Sequence, residues 1–135
     1  MTQAHRIVNP TTLAPAVGFA HAVVAAPGAL VFLGGQGPLD ADGRVVGATM
    51  LEQFERTIEN VGEALRAAGA EPEHLVSVQI FVTDAEEYRR ASRDIGAAYR
   101  RRQGSHYPAM ALFEVTRLFD PEARVELVCT AVVPG

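Results

Sequence analysis

The chain of 135 residues has one cysteine, no tryptophan and no excess of positive charge. Because Cys129 has no partner, an internal disulfide is excluded, and a reducing, cytoplasmic location is expected. The net charge of −4 is unlike the basic surface of a nucleic-acid-binding protein. No apolar run is long enough to span a membrane, and the amino terminus lacks a signal-peptide pattern. The sequence therefore predicts one globular domain, residues 1–135, with no nucleic-acid or membrane partner.

Metal-ligand and cofactor-binding motifs are also missing. Four histidines are scattered along the chain without an i,i+4 pair or a cysteine neighbour: His5, His21, His74 and His106. Three glycines cluster at positions 34, 35 and 37, but the spacing of a phosphate-binding loop or of a dinucleotide fingerprint is absent. We expect a bend or bulge there, where two backbones approach closely. No metal and no cofactor are expected.

The periodicity of apolar residues predicts two helices. Residues 49–68 carry an apolar stripe at three- and four-residue spacing, and Thr49 with Glu52 forms a capping box at the start. A second helix is expected after an N-cap at Asp84. It ends in three arginines, residues 100–102, which are typical of a solvated helix end that suits the helix dipole, with an anion or RNA site as the alternative.

Short runs rich in Val, Leu and Phe predict the strands. Residues 20–26 and 30–34 flank the turn dipeptide Pro27-Gly28 and are expected to pair as a hairpin. Further strands are expected at residues 5–8, 75–82, 107–118 and 124–133. The predicted fold is a single α+β domain with one mixed sheet.

The last predicted strand is apolar on both sides and contains one charged residue, Glu126. Four side chains are expected to point together away from Glu126, with the thiol as inert packing against the helices: Val125, Leu127, Cys129 and Ala131. A carboxylate in such a strand needs hydrogen-bond partners or a catalytic role, and both interpretations are open for Glu126. Glu114, the carboxylate of the preceding strand, is expected to be a structural group bonded to loop backbone.

The number of predicted helices is too small to cover both faces of the sheet, which predicts an oligomer. Two helices can cover only one face of the sheet, yet residues 30–33 and 124–133 are apolar on both sides. The chain has no element left to cover the second face. We therefore expect another copy of the same chain there, with sheets packed on one another.

Five segments together carry a family resemblance. They are G-F-A-H-A-V (18–23), V-F-L-G-G-Q-G-P-L (31–39), E-N-V (59–61) followed by A-A-G-A (67–70), V-Q-I-F-V-T-D (78–84) and Y-P-A-M-A-L-F-E-V-T-R-L (107–118). In this order they resemble the reactive intermediate deaminase family, also called Rid or YjgF-like. The resemblance implies a chorismate-mutase-like fold with two helices on one face, and a homotrimer with sheets packed around the threefold axis.

The resemblance also implies an activity. Members of its best-known branch hydrolyse 2-aminoacrylate and related imines or enamines to a 2-keto acid and ammonia, without a metal or cofactor, in clefts between subunits. An arginine clamps the substrate carboxylate. A glutamate activates water, and a tyrosine and a serine line the cleft.

Carried over by position, the family residues are only partly present. The glutamate is Glu126, whereas the arginine position is Met110, the tyrosine position is Phe19 and the serine position is Gly34. Arg117 does not replace the clamp, because the family has an arginine there as well. The expected site residues are therefore Glu126 as the catalytic group and, lining the substrate cleft, Phe19, Gly34, Met110, Ala111 and Phe113.

These replacements leave a more apolar cleft with a single carboxylate, and three functions are open. The first is hydrolysis of an imine or enamine less acidic than 2-aminoacrylate. The second is a non-catalytic trimer that binds a small molecule in the cleft between subunits. The third is an endoribonuclease or translation inhibitor, which the acidic composition disfavours.

Overall fold

A computed structural model describes residues 3–135. Its strands are β1 (Arg6–Val8), β2 (Ala22–Val24), β3 (Gly28–Phe32), β4 (Leu75–Val82), β5 (Ala109–Glu114) and β6 (Val125–Pro134). Its helices are α1 (Met50–Ala67), α2 (Ala85–Arg90) and α3 (Ser92–Gln103), and a 3₁₀ turn at Pro72–His74 precedes β4. The order of elements confirms an α+β domain.

Four strands form a mixed sheet in the order β3-β6-β4-β5. Strand β6 is antiparallel to both of its neighbours, and β4 is parallel to the edge strand β5. Strands β1 and β2 form a separate antiparallel pair. The buried His5 joins this pair to the sheet: its Nδ1 accepts a hydrogen bond from the Ala26 N–H, so Nε2 carries the proton and faces the carbonyl oxygens of His74 and Val132 at 3.1 and 3.0 Å.

One face of the sheet packs against the helices and forms the core. The predicted inward set of β6 is buried there, as are the alternating apolar residues of β4 and the apolar stripe of α1. The start of α1 is capped as predicted, since Thr49 Oγ1 accepts a hydrogen bond from the Glu52 N–H. Cys129 is buried in this core, and burial raises the pKa of its thiol to about 12, as expected of an inert thiol.

Within residues 3–135 no helix covers the other face of the sheet, which we call the open face. By strand register it carries Leu30 and Phe32 of β3, alternate residues of β6 beginning with Glu126, and Phe81 and Phe113 of the two remaining strands. Leu30 and Phe32 are 63% and 73% exposed, and Phe113 is 44% exposed. The prediction was that both faces of the sheet are buried. Within one chain only the helix face is buried.

Three predicted elements were wrong in detail. Residues 20–26 and 30–34 do not form a hairpin, because β2 pairs with β1 and β3 pairs with β6. The second helix is divided at Ala91, whose φ of −93° and ψ of 4° separate α2 from α3. Strand β5 is also shorter than residues 107–118. Of the described residues, none lies in a helix that is long and apolar enough to cross a membrane.

Candidate functional site

The glycine-rich stretch forms a bulge beside β6, as predicted. The N–H groups of Leu33 and Gln36 donate to the carbonyl oxygens of Cys129 and Leu127 at 3.1 and 2.8 Å. Residues 33 and 36 are three positions apart, whereas their partners 129 and 127 on β6 are two positions apart. The stretch therefore has one extra residue, which defines a bulge. Within residues 3–135 the N–H groups of Gly34 and Gly35 have no hydrogen-bond partner. Two backbone donors are thus available to a ligand.

Helix α1 holds this bulge in place. Asn60 Nδ2 donates hydrogen bonds to the carbonyl oxygens of Gly37 and Leu39 at 2.9 and 2.8 Å, and Arg56 Nε donates to the Leu39 carbonyl at 3.1 Å. Because these side chains project from a well-packed helix, the position of the glycine-rich stretch is fixed relative to the sheet. The family segment E-N-V at residues 59–61 therefore has a structural task.

Glu126 lies on the open face, half-buried, in contact with Gly35. A methyl group added at Gly35 would clash with Glu126 Oε2 and lie 3.0 Å from its Cδ, so only glycine leaves room for the carboxylate in its present position. Across the sheet Glu126 pairs with Phe81, an apolar neighbour. Among the residues that the structure describes, the carboxylate has no hydrogen-bond or salt-bridge partner. It is therefore free to bind water, a ligand or a second protomer.

Phe113 belongs to the same face as Glu126. Its ring stacks on Phe81 with centroids 5.5 Å apart and an interplanar angle of 24°. Since Phe81 pairs with Glu126 on one side and with Phe113 on the other, the three side chains form one row across three strands. We call Glu126, Phe81, Phe113, Gly34 and Gly35 the open-face cluster.

Three other predicted site residues border a different space, between α3 and the edge strand β5. This groove has a volume of about 600 Å³, and Phe19, Met110 and Ala111 line it. Phe19 packs edge-to-face on His21, with ring centroids 5.1 Å apart. Met110 contacts the core on the helix face of the sheet.

Met110 and Glu126 consequently lie on opposite faces of the sheet within one chain. Met110 pairs with Val78, and Val78 pairs with Cys129, so Met110 shares the helix face with that cysteine. Glu126 is three residues from Cys129 along β6 and points to the open face. The single chain thus places Glu126 and Phe113 on the open face, two strands apart, and Gly34 beside the glycine that contacts Glu126. It places Phe19, Met110 and Ala111 separately, around the groove.

Several residues of the groove are not among the predicted site residues, although an anion site is one interpretation of the arginine triplet that contains Arg100. Tyr107 lines it and stacks on Tyr99, with ring centroids 5.3 Å apart, and the Tyr99 hydroxyl donates to the His106 carbonyl at 2.9 Å. Arg93 and Arg100 of α3 also line the groove. The sequence contains a signal for this pair: Arg93 and Arg100 are seven residues apart, with Gly96 between them, and such positions share one side of a helix.

Two further charged residues have other roles. Glu114 Oε1 accepts a hydrogen bond from the Ala85 N–H at 2.9 Å and so caps α2, which confirms the structural interpretation of this carboxylate. Arg117 borders a separate depression of about 490 Å³ together with Arg124, and neither Met110 nor Glu126 lines it. Within residues 3–135 no three His, Cys, Asp or Glu side chains are grouped to hold a metal ion.

Comparison with known proteins decides the family. The family model described as Endoribonuclease L-PSP matches residues 10–133. The chain belongs to this family. A crystal structure from Yersinia pestis, described as a protein of unknown function of the conserved Rid protein family, YyfB, superposes with a TM-score of 0.83. It is 32% identical in sequence, and the match covers 96% of this chain and 99% of that one. The chain is therefore a Rid/YjgF-like member, as its motifs indicated.

Two curated relatives extend the comparison. Protein mmf2, mitochondrial, of Schizosaccharomyces pombe is 46% identical over 61 residues, which are 45% of this chain and 48% of that protein. The match therefore spans about half of that relative. The 2-iminobutanoate/2-iminopropanoate deaminase of Homo sapiens is 24% identical over 103 residues, covering 76% of this chain and 72% of that protein.

Proposed function

We propose that the chain hydrolyses an imine or enamine, less acidic than 2-aminoacrylate, to a carbonyl compound and ammonia. The observation that supports this most is Glu126, a half-buried carboxylate on the open face with no partner among the described residues. Such a group is a candidate general base. The human relative's name, an iminobutanoate and iminopropanoate deaminase, supports the same class of reaction.

In the proposed reaction the imine is protonated on nitrogen, and Glu126 accepts a proton from water as the water oxygen attacks the imine carbon and the C=N π electrons move to nitrogen. The resulting neutral carbinolamine carries the hydroxyl and the amine on one carbon. Proton transfer from the Glu126 carboxyl to the amine then allows the C–N bond to break, and the carboxylate takes up the hydroxyl proton as the C=O bond forms, releasing ammonia and the carbonyl product. The free N–H groups of Gly34 and Gly35 are available to bind a substrate oxygen.

The expectation of a less acidic substrate follows from the residues of the open-face cluster. Phe81 lies next to Glu126, Phe113 follows Phe81 in the same row, and no arginine or lysine lies in this row. A small substrate carboxylate would meet Glu126 without a neutralising cation. An imine with an apolar body therefore suits the cluster better than 2-aminoacrylate.

We further propose that the active form is a homotrimer, with the open faces packed together and a cleft at each subunit boundary. The exposed Leu30, Phe32 and Phe113 support this, because a monomer rarely exposes a contiguous apolar face. Gly34 and Phe113 would line the cleft directly. The residues of the groove would border this cleft only from the groove side of the sheet: Phe19, Met110 and Ala111.

The separation of Met110 from Glu126 supports a second candidate, a trimer that binds a small molecule without catalysis. In that case the groove would be occupied and Glu126 would have a structural role. Ribonuclease activity is the weaker alternative, since the net charge of −4 gives no general attraction for RNA phosphates.

The test is turnover of imines formed in situ from two matched sets of compounds. A flavin amine oxidase makes imines without a carboxylate from amines with small and large apolar side chains, and an amino-acid oxidase makes the corresponding imines that carry a carboxylate. We expect faster release of ammonia from the apolar imines than in the absence of the protein. Acceleration of none of them, by protein that binds a ligand saturably, would favour the non-catalytic candidate.

A further inference from the structure

The groove between α3 and β5 has a charge pattern that its family role does not account for. Arg93 and Arg100 are the charged side chains that line it, and no aspartate or glutamate does. The remaining lining is mostly aromatic and aliphatic, and includes Phe19, Tyr107 and Met110. A partly enclosed apolar space whose only charged groups are positive is complementary to an anion that has an apolar body.

The geometry of α3 aims one arginine of the basic triplet at this groove. Arg93, Gly96 and Arg100 are three and four residues apart and therefore share one side of the helix. A Cβ atom at Gly96 would lie 3.4 Å from Arg100 Nη1, so the guanidinium extends back over the glycine. Gly96 and the Arg100 guanidinium therefore lie side by side at the groove.

The other two arginines of the triplet turn toward α1. Arg101 Nη2 lies 3.9 Å from Glu55 Oε2, and Arg102 Nη2 lies 3.8 Å from Glu59 Oε2. Within residues 3–135, by contrast, neither Arg93 nor Arg100 forms a salt bridge. The triplet therefore divides into two arginines that face acidic residues of α1 and one whose charge is available to a ligand.

We propose that this groove binds a carboxylate with an aromatic body, its carboxylate held by Arg100 and Arg93. The guanidinium fork matches the two oxygens of a carboxylate. The aromatic body would pack on Phe19 and Tyr107, whose rings offer faces and edges. This site goes beyond the proposed hydrolysis, because it uses none of the residues around Glu126 and its cations come from α3 rather than from position 110.

The test is isothermal calorimetry with 3-phenylpropanoate and with its neutral isostere, 3-phenylpropanamide. We expect saturable binding of the carboxylate by the unmodified protein and binding of the amide that is about tenfold weaker, because a charge-assisted contact is lost. Arg100→Gln should weaken carboxylate binding by about tenfold, and Arg100→Lys should restore part of it. Arg93→Gln should weaken it as well, and in the double variant binding should be lost.

The matched control is Arg101→Gln, which removes the charge of another exposed arginine one residue away and should leave the affinity within about twofold. Circular dichroism checks that each variant is folded. Equal affinity for acid and amide, equal loss in Arg100→Gln and Arg101→Gln, or no saturable binding of 3-phenylpropanoate would each overturn the proposal. Because the readout is binding alone, its failure is distinguishable from a failure of imine hydrolysis, which is measured as ammonia release.

Discussion

Glu126 and Gly35 are matched in shape: the carboxylate of one occupies the space where a side chain on the other would be. At Gly34, one residue earlier, an added Cβ would have no atom of the described residues within 4 Å, apart from those of its chain neighbours. The two adjacent glycines of the bulge therefore have different structural roles. Only Gly35 is required for the present position of the carboxylate.

This difference gives a first prediction. In Gly35→Ala the Glu126 side chain must swing away, whereas Gly34→Ala and Gly34→Ser should leave it in place. Because a flexible side chain can move, the free energy of unfolding should change by less than about 1.5 kcal/mol in all three variants. Imine hydrolysis should fall at least about tenfold in Gly35→Ala alone.

The measurement is ammonia release at saturating substrate, beside urea unfolding of each variant. Equal activities of Gly35→Ala and Gly34→Ala would show that the position of the Glu126 carboxylate does not matter. In that case Glu126 would not be the base.

A second prediction concerns assembly. Light scattering at micromolar concentration should give the mass of a trimer, and Phe32→Asp should shift it toward the monomer. A charge on the apolar open face would be desolvated on packing without a partner. Ala67→Asp adds the same charge at the exposed end of α1 and serves as the control. A monomeric unmodified protein, or dissociation of both variants alike, would contradict packing through the open face.

A third prediction follows from the buried thiol. Burial raises the pKa of Cys129 from its ordinary value of 9.0 to about 12, so the folded state retains a proton that the unfolded state loses. The stabilisation is complete below pH 9 and is lost as the pH rises toward 12. Between pH 9 and 10 the free energy of unfolding should fall by up to about 1.4 kcal/mol per pH unit from this group.

Urea unfolding at pH 7, 8, 9 and 10 measures this slope. Cys129→Ala should be less stable at every pH, because it leaves a small cavity, but its decline between pH 9 and 10 should be shallower. Tyr88, whose pKa burial raises from 10.0 to about 12, adds to the decline in both proteins mainly above pH 10. Identical slopes in the two proteins would mean that Cys129 ionises in the folded state.

The sequence predicted what depends on local pattern. The inward set of β6 was correct because burial of alternate residues follows from the period of a strand. Likewise, the caps at Thr49 and Asp84 depend on residues only three positions apart. The family motifs added the correct fold.

The pairing of strands that are far apart in the sequence could not be predicted from local patterns. Pro27-Gly28 indicated a local turn, yet a Cβ at Gly28 would clash with the Val133 carbonyl, so this glycine permits close approach of β3 to β6. The same limit applies to the site. Register across three strands decides that Met110 and Glu126 lie on opposite faces, and register is a property of the assembled sheet.

Substitution of Glu126 tests the central proposal most directly. In Glu126→Gln the amide cannot accept a proton from water, so imine hydrolysis should fall by about a hundredfold or more with the oligomer intact. Glu114→Gln is the matched control, since an amide oxygen can still accept the hydrogen bond from the Ala85 N–H. The measurement is ammonia release from an oxidase-generated imine with an apolar side chain. We predict activity in the unmodified protein and in Glu114→Gln and none above background in Glu126→Gln; full activity in Glu126→Gln would contradict the account.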